Sequence, residues 1–273
     1  MATWNVTCNR FVGFFDIMGF KDMVLRNNHE DVLQKINQIR EAIGVIENYG
    51  KELLNSKADT HRTGKPHSYA DAIVLPVFFS DSIVLVSEDD SKASARKIVM
   101  LAAWLMYKSL INGLPIKGAI AYGEQTADFE ESLHVGRPLI DAYILQEELH
   151  MYGAVLHHSM EAYLKENDMV SYINEKKRFL CRGQVPLKEC NVVHYCVDWP
   201  GVFRFYHQDP VATVSGLAGN VSGSVRLYVD NTLRFVKKVE AISVKKDPSP
   251  EPVKRKMVDI LGLKFGSQVY GKG

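Results

Sequence analysis

Two carboxylates stand where an apolar strand does not ordinarily tolerate one. Phe11-Val-Gly-Phe-Phe-Asp-Ile-Met-Gly-Phe-Lys21 is a short apolar run that delivers Asp16 and then breaks at Gly19. Val77-Phe-Phe-Ser-Asp-Ser-Ile-Val-Leu85 does the same with Asp81. A carboxylate at the end of a buried strand is costly unless it is paired or holds a cation. Taken singly, each Asp also reads as a turn cap or as the partner of a nearby Lys. Taken together, two strands that each bring one carboxylate to a shared edge suggest a divalent-cation site. The turn after Asp16 leads into a helix, whose free backbone N–H groups form a ready phosphate site. Carboxylates beside such a turn can hold a hard cation and a triphosphate together.

The elements that must position these groups follow from periodicity and punctuation. Residues 10–16 read as a buried strand, and Gly19 allows a tight turn into a helix from Phe20. Asn27-Asn-His-Glu-Asp31 breaks it, and Val32, Leu33, Ile36, Ile39, Ile43 and Ile46 then mark one face of a longer helix. Residues 55–68 are polar, contain Gly and Pro, and read as a mobile loop or lid. Ala72 to Val86 is a strand pair turning at Ser80-Asp81, and Glu88-Asp-Asp-Ser-Lys92 starts a helix over 91–111. A strand at 116–122 follows, then an acidic loop, then a helix opened by Pro138 and running to Glu148.

This order predicts an α+β fold, a ferredoxin-like βαββαβ palm with helices on one face of a mostly antiparallel sheet. The other face then needs a partner or the C-terminal segment. The expected division is a catalytic domain at 10–165 and a C-terminal α/β extension at 166–273 packed on it, the junction lying near 167–175. From residue 153 onward, 153–157, 177–182 and 191–198 read as strands, 159–166 and 223–241 as helices, and 211–224 as a Gly/Ser-rich loop. Residues 247–252 read as an extended linker, and Lys254-Arg-Lys256 as a solvated basic run.

Composition narrows the class. The 273 residues are 46% hydrophobic and 24% charged with a formal net charge of +1, ordinary for a globular protein and unsuited to general polyanion binding. That argues against a palm acting on nucleic acid. No signal peptide and no membrane span is evident, and the four cysteines lack metal-binding spacing, so a cytoplasmic protein with reduced thiols is expected. His157-His158 are adjacent and cannot share a helix face, so no ligand role is read there. Arg226 and Asp230, four apart on a helix, suggest an intrahelical pair.

Several of these runs resemble one family. Phe15-Asp-Ile-Met-Gly-Phe20 resembles the Asp-Ile-x-Gly-Phe motif that opens the catalytic domain of class III nucleotide cyclases. Phe79-Ser-Asp-Ser-Ile-Val-Leu85 resembles their hairpin with the second metal-binding Asp, usually written Gly-Asp. Lys117-Gly-Ala-Ile-Ala-Tyr-Gly123 is similar to their next strand. Gly136-Arg-Pro-Leu-Ile-Asp-Ala-Tyr-Ile-Leu-Gln-Glu147 is similar to their late helix. The resemblance covers about residues 10–150. The chain departs from adenylyl and guanylyl cyclases at Val77, where they carry a purine-selecting Lys or Glu, and at Ile140 and Ile144, where they carry a catalytic Asn and Arg. In its short form it is most similar to the pyrimidine cyclases of bacterial Pycsar anti-phage defence, which make cyclic UMP or cyclic CMP to activate an effector protein.

That resemblance implies a lyase acting on UTP or CTP with two divalent ions, Mn²⁺ or Mg²⁺, held by Asp16, Asp81 and the Ile17 carbonyl. It implies phosphate binding by the amides of Met18, Gly19 and Phe20 with help from Lys21, further substrate contacts from Lys117 and Tyr122, and a homodimer. Each of the secondary residues has a plainer reading: Lys117 as a solvated strand Lys, Tyr122 as packing, Arg137 as a surface residue and Asp141 as a dipole-favourable acid. The missing Asn/Arg pair leaves open a catalytically degenerate cyclase fold that binds a nucleotide or partner without turnover.

Overall fold

The computed structural model describes residues 4–40, 73–175 and 177–244. Continuous apolar character makes Thr7–Ile17 a strand (β1) buried along most of its length. Gly19, with φ 75°, then turns the chain into helix Phe20–Arg26 (α1), which closes where the Asn27 N–H and side chain both donate to the Met23 carbonyl. Asn28 caps the next helix (α2), described over residues 29–40, by accepting the Asp31 N–H at 2.9 Å. Positions Ile43 and Ile46, the loop 55–68, the linker 247–252 and the run 254–256 lie outside the described residues.

Strands Val74–Phe79 (β2) and Ser82–Ser87 (β3) form the expected hairpin, and helix Lys92–Ile111 (α3) follows, capped by the Ser91 hydroxyl. Strand Ile116–Asp128 (β4) runs six residues past the predicted end. Its extra length is held on both sides, by β1 as far as Thr7↔Thr126 and by strand Leu133–Gly136 (β5). Helix Arg137–Glu148 (α4) starts with Pro138 in its first turn, as the sequence indicates. The four strands β2-β3-β1-β4 are antiparallel neighbours in that order, which is the ferredoxin-like arrangement.

Beyond α4 come strand Ala154–Leu156 (β6), helices His158–Glu166 (α5) and Met169–Ile173 (α6), and strands Leu180–Pro186 (β7) and Asn191–Val197 (β8). Short β6 pairs parallel to β4 and antiparallel to β8, so one sheet continues across the junction at 167–175 in the order β2-β3-β1-β4-β6-β8-β7. Helices Pro200–Phe205 (α7), Pro210–Gly216 (α8) and Arg226–Val244 (α9) complete the described chain. The predicted loop at 211–224 is thus helical in its first half. The Asp209 carboxylate accepts the N–H groups of Val211 and Ala212, and Pro210 fits the first turn, which outweighs the Gly and Ser content.

Register decides which side chains share a face. Phe11, Phe15, Ile83 and Leu85 lie on the side covered by α3, which is apolar around most of its circumference and buries Ile98, Leu101, Leu105 and Met106. Asp16↔Lys117, Phe14↔Ala119 and Val12↔Ala121 lie on the opposite side. Here α4 packs, with the Tyr143 ring edge-on to Phe14 at 5.3 Å. Helices therefore cover both faces, because α4 returns to the side that α3 leaves open. Farther along, α9 is tied to the segment after α4: the Thr232 hydroxyl accepts the Tyr152 N–H, and the Asn231 amide donates to the His150 carbonyl, each at 2.8 Å.

Gly118 sits directly opposite Phe15, whose ring lies across it. A Cβ at this position collides with the Phe15 ring and meets the Phe14 carbonyl oxygen at 2.8 Å. A backbone oxygen cannot swing away as a flexible side chain can, so Gly118→Ala is expected to cost about 1–3 kcal/mol. Urea unfolding measures this; a midpoint equal to that of the wild type would show that Phe15 repacks freely.

Candidate functional site

The two carboxylates meet because main-chain bonds stitch their segments together. Asp81 is the second residue of the turn between β2 and β3, and Ser80 before it takes a left-handed φ of 55°. The Asp81 carbonyl accepts the Ile17 N–H at 2.8 Å, joining this turn to the end of β1 immediately after Asp16. The next amide, Met18 N–H, donates to the Pro115 carbonyl at 2.8 Å and pins the same segment to the start of β4. Gly19 then begins α1 without a side-chain cap, so the amides of its first turn have no side chain competing for them.

Charge sets the character of the site. Burial and the neighbouring Asp81 push the Asp16 carboxyl up to about 6, with Lys117 pulling it down and Glu147 adding to the rise. Lys117 lies opposite Asp16 in the β1–β4 pairing and is almost wholly buried. Its ammonium donates to the Glu147 carbonyl at 3.2 Å and sits 5.8 Å from the Tyr228 ring centre. Burial lowers its pKa, while Glu147 and Asp16 draw it back up. Burial, Glu147 and Asp16 likewise raise the Tyr228 hydroxyl. The result is a half-buried nest of two aspartates with one buried ammonium beside them.

These donors suit a hard divalent cation of the Mg²⁺ or Mn²⁺ type. Among the described residues no group of three His, Cys, Asp or Glu side chains gathers to form a closed metal cage. Two carboxylates and a backbone carbonyl leave positions for substrate oxygens and water, which is how Mg²⁺ is commonly held. Burial first and Asp81 second raise the Asp16 pKa, and a divalent ion held between the two carboxylates would lower it.

The other sequence-predicted residues divide. Asp16, Ile17, Asp81 and Lys117 come together, and Met18, Gly19 and Phe20 follow directly. The Met18 amide, however, is taken by the Pro115 carbonyl, so of the three only the amides of Gly19 and Phe20 remain for the phosphate role the resemblance implies. Lys21 is exposed on α1. Tyr122 is not brought to the carboxylates. It lies five residues from Lys117 on one strand, and side chains alternate faces, so the two point to opposite sides of the sheet. Its hydroxyl donates to Asp90 at 3.0 Å and its ring packs against Phe11 and Tyr163. Arg137 is exposed and pairs with Asp141 at 3.4 Å, and Arg226 pairs with Asp230 at 3.7 Å.

Two neighbours of the site were missed. Glu147 had a signal, since it lies four residues after Tyr143 on the α4 face that meets the sheet. Tyr228 had none, because it arrives from α9, far along the chain. Ile140 and Ile144 are exposed on α4, 54% and 55%, and with Tyr143 they form an apolar strip at helical spacing.

No family model and no curated protein matches the chain. Among solved structures it is similar to the catalytic core of a rhodopsin-guanylyl cyclase with converted specificity in complex with ATPalphaS, with TM-score 0.47 and 15% identity over 71% of this chain and 98% of that one. It is also similar to a class III adenylyl cyclase-like ATP-binding protein from Pseudomonas aeruginosa, with TM-score 0.39 and 14% identity over 89% of this chain and 44% of that one. Neither likeness bears on chemistry.

The Asp16 shift has a consequence for stability in the absence of metal. An acid whose folded pKa is raised destabilises the fold in its charged form; the cost is full above about pH 6 and absent below its ordinary value near 3.8. In EDTA, Asp16→Asn is therefore expected to stabilise the protein at pH 7 by about 1 kcal/mol, allowing for partial solvation. The gain should shrink as pH falls from 6 and vanish near pH 4. Thermal melts of both proteins across that range check it, and an Asn variant less stable at pH 7 contradicts it.

Proposed function

We propose that this chain is a metal-dependent nucleotide cyclase that converts a pyrimidine nucleoside triphosphate, UTP or CTP, into its 3′,5′-cyclic monophosphate and pyrophosphate. The carrying observation is the convergence of Asp16 and Asp81 through the bond from the Ile17 N–H to the Asp81 carbonyl. In the reaction the ribose 3′-oxygen attacks the α-phosphorus, the bond to the bridging oxygen breaks, pyrophosphate leaves and the 3′-hydroxyl proton is released. Asp16 and Asp81, with the Ile17 carbonyl, would hold two divalent ions, which when bound supply acidification of the 3′-hydroxyl and charge neutralisation on the phosphates. Lys117, fixed by the Glu147 carbonyl, keeps a positive charge beside Asp16 where phosphate charge gathers. Gly19 and Phe20 offer amides to the terminal phosphates at the start of α1.

Two further features support the reading. Val77, at the family's purine-reading position, has no group to hydrogen-bond a purine edge, which favours the smaller base. The apolar strip of Ile140, Tyr143 and Ile144 on α4 suits a homodimer in which a second copy closes the site against water. The product is a signal in antiviral defence, made in the cytoplasm and read by a separate effector. No helix among the described residues is long and apolar enough to cross a membrane.

One observation favours a second reading. Ile140 and Ile144 carry no polar group where cyclases place their Asn and Arg, which suits a fold that binds a nucleotide without turnover. Incubation with each of the four ribonucleoside triphosphates and Mn²⁺ separates the two. Cyclic UMP or cyclic CMP should appear and fall at least about 100-fold in Asp81→Ala, as expected on losing a metal ligand. Nucleotide binding with no cyclic product from any of the four establishes the binder instead. Product from ATP alone keeps the cyclase and removes the pyrimidine preference.

A further inference from the structure

At the far end of the sheet, β7 is the terminal strand, and α9 runs alongside it. Between them lies a groove of about 280 Å³. Sheet order puts it four strand spacings from β1, roughly 19 Å away, so it is separate from the aspartate pair. Phe235, Val239 and Ile242 of α9 give it an apolar wall.

Among the described residues the charged side chains lining the groove are Arg182, Arg234 and Lys238, and no carboxylate lines it. Two of the three have no carboxylate partner among the described residues. Among the described residues Arg234 bonds only the Asn231 side-chain oxygen, at 2.8 Å, and Lys238 makes no ion pair. Arg182 lies 5.8 Å from the Tyr195 ring centre, within electrostatic reach of Glu161. Arg234 and Lys238, one turn apart on the exposed side of α9, are like charges whose mutual repulsion an anion between them would relieve.

Gly183 supplies an independent observation. It sits inside β7, where glycine weakens a strand and commonly marks a place left open for close approach. A Cβ added there meets one group only, the Lys238 ammonium at 3.8 Å. The missing side chain thus leaves room for the ammonium and an anion above the strand. No strand lies beyond β7 among the described residues, and its outer edge is bonded at its ends, at Leu180 by the Asn174 side chain and at Pro186 by the His150 N–H.

We propose that this groove binds a small organic phosphate, its phosphate held by Arg234 and Lys238 over Gly183 and its apolar part against Phe235 and Ile242. The site is independent of the proposed cyclase reaction and needs no divalent ion.

Phenyl phosphate tests it, titrated by calorimetry into the full chain in EDTA, with inorganic phosphate and phenol as the two half-ligands. Phenyl phosphate should bind at least tenfold more tightly than either half. The double variant Arg234→Glu with Lys238→Glu, both on the exposed side of α9, should weaken it at least tenfold. Gly183→Leu, which fills the groove without changing charge, should do the same. Asp16→Asn should leave affinity unchanged, so a failed cyclase assay and a failed groove are told apart. Absence of phenyl phosphate binding, binding that survives the charge reversal, or binding lost in Asp16→Asn each overturns the proposal. Equal affinity for inorganic phosphate overturns its organic half.

Discussion

The site depends on the register between β1 and β4, eleven consecutive pairs from Thr7↔Thr126 to Ile17↔Ile116. Because side chains alternate across a sheet, a slip of one residue would turn Phe11 and Phe15 out of the core and bury Asp16 beneath α3. The apolar face forbids that slip. Burying two phenylalanines, at roughly 2–3 kcal/mol each, therefore also fixes Asp16 opposite Lys117. Core packing and functional geometry are here the two faces of one strand. Gly118 shows how tightly they are joined: it yields its side-chain space to Phe15 while its neighbour Lys117 faces the carboxylates.

The electrostatics around Asp16 run against stability. The Lys117 ammonium and the Asp16 carboxylate each carry a desolvation cost, and Lys117 offsets only part of the repulsion between Asp16 and Asp81. An apolar core would be cheaper at this position. Perturbed groups that are geometrically converged and open on one side are a common mark of a binding or catalytic centre. Cation binding would relieve the repulsion, which ties the stability of this corner to its occupancy.

Helix α9 gives the later part of the chain a role in both regions. Its early residue Tyr228 reaches the Lys117 ammonium, and its later residues Arg234 and Lys238 border the groove beside β7. Ten residues of helix separate Tyr228 from Lys238, about 15 Å along the axis. The bonds from Thr232 and Asn231 to the segment after α4 fix that helix against the part of the chain that positions Glu147.

Local chemistry was legible residue by residue. Gly19 takes the left-handed turn its position required, Ser80-Asp81 makes the hairpin, and Pro138 opens its helix, because each depends on backbone preferences within a few residues. The helix at 210–216 was legible too, through Asp209 and Pro210, but Gly and Ser content outweighed that cap in the reading. Parity along β4 also lay in the sequence and separates Tyr122 from Lys117 once the strand is known to run unbroken through both. The sequence by itself determined which strands carry carboxylates and where they end. Only the tertiary structure decided that Glu147 and Tyr228 stand beside them, that the Met18 amide is spent on Pro115, and that Arg234 and Lys238 share a groove with Gly183. Those facts depend on contacts between segments far apart in the chain, and no local preference encodes such contacts.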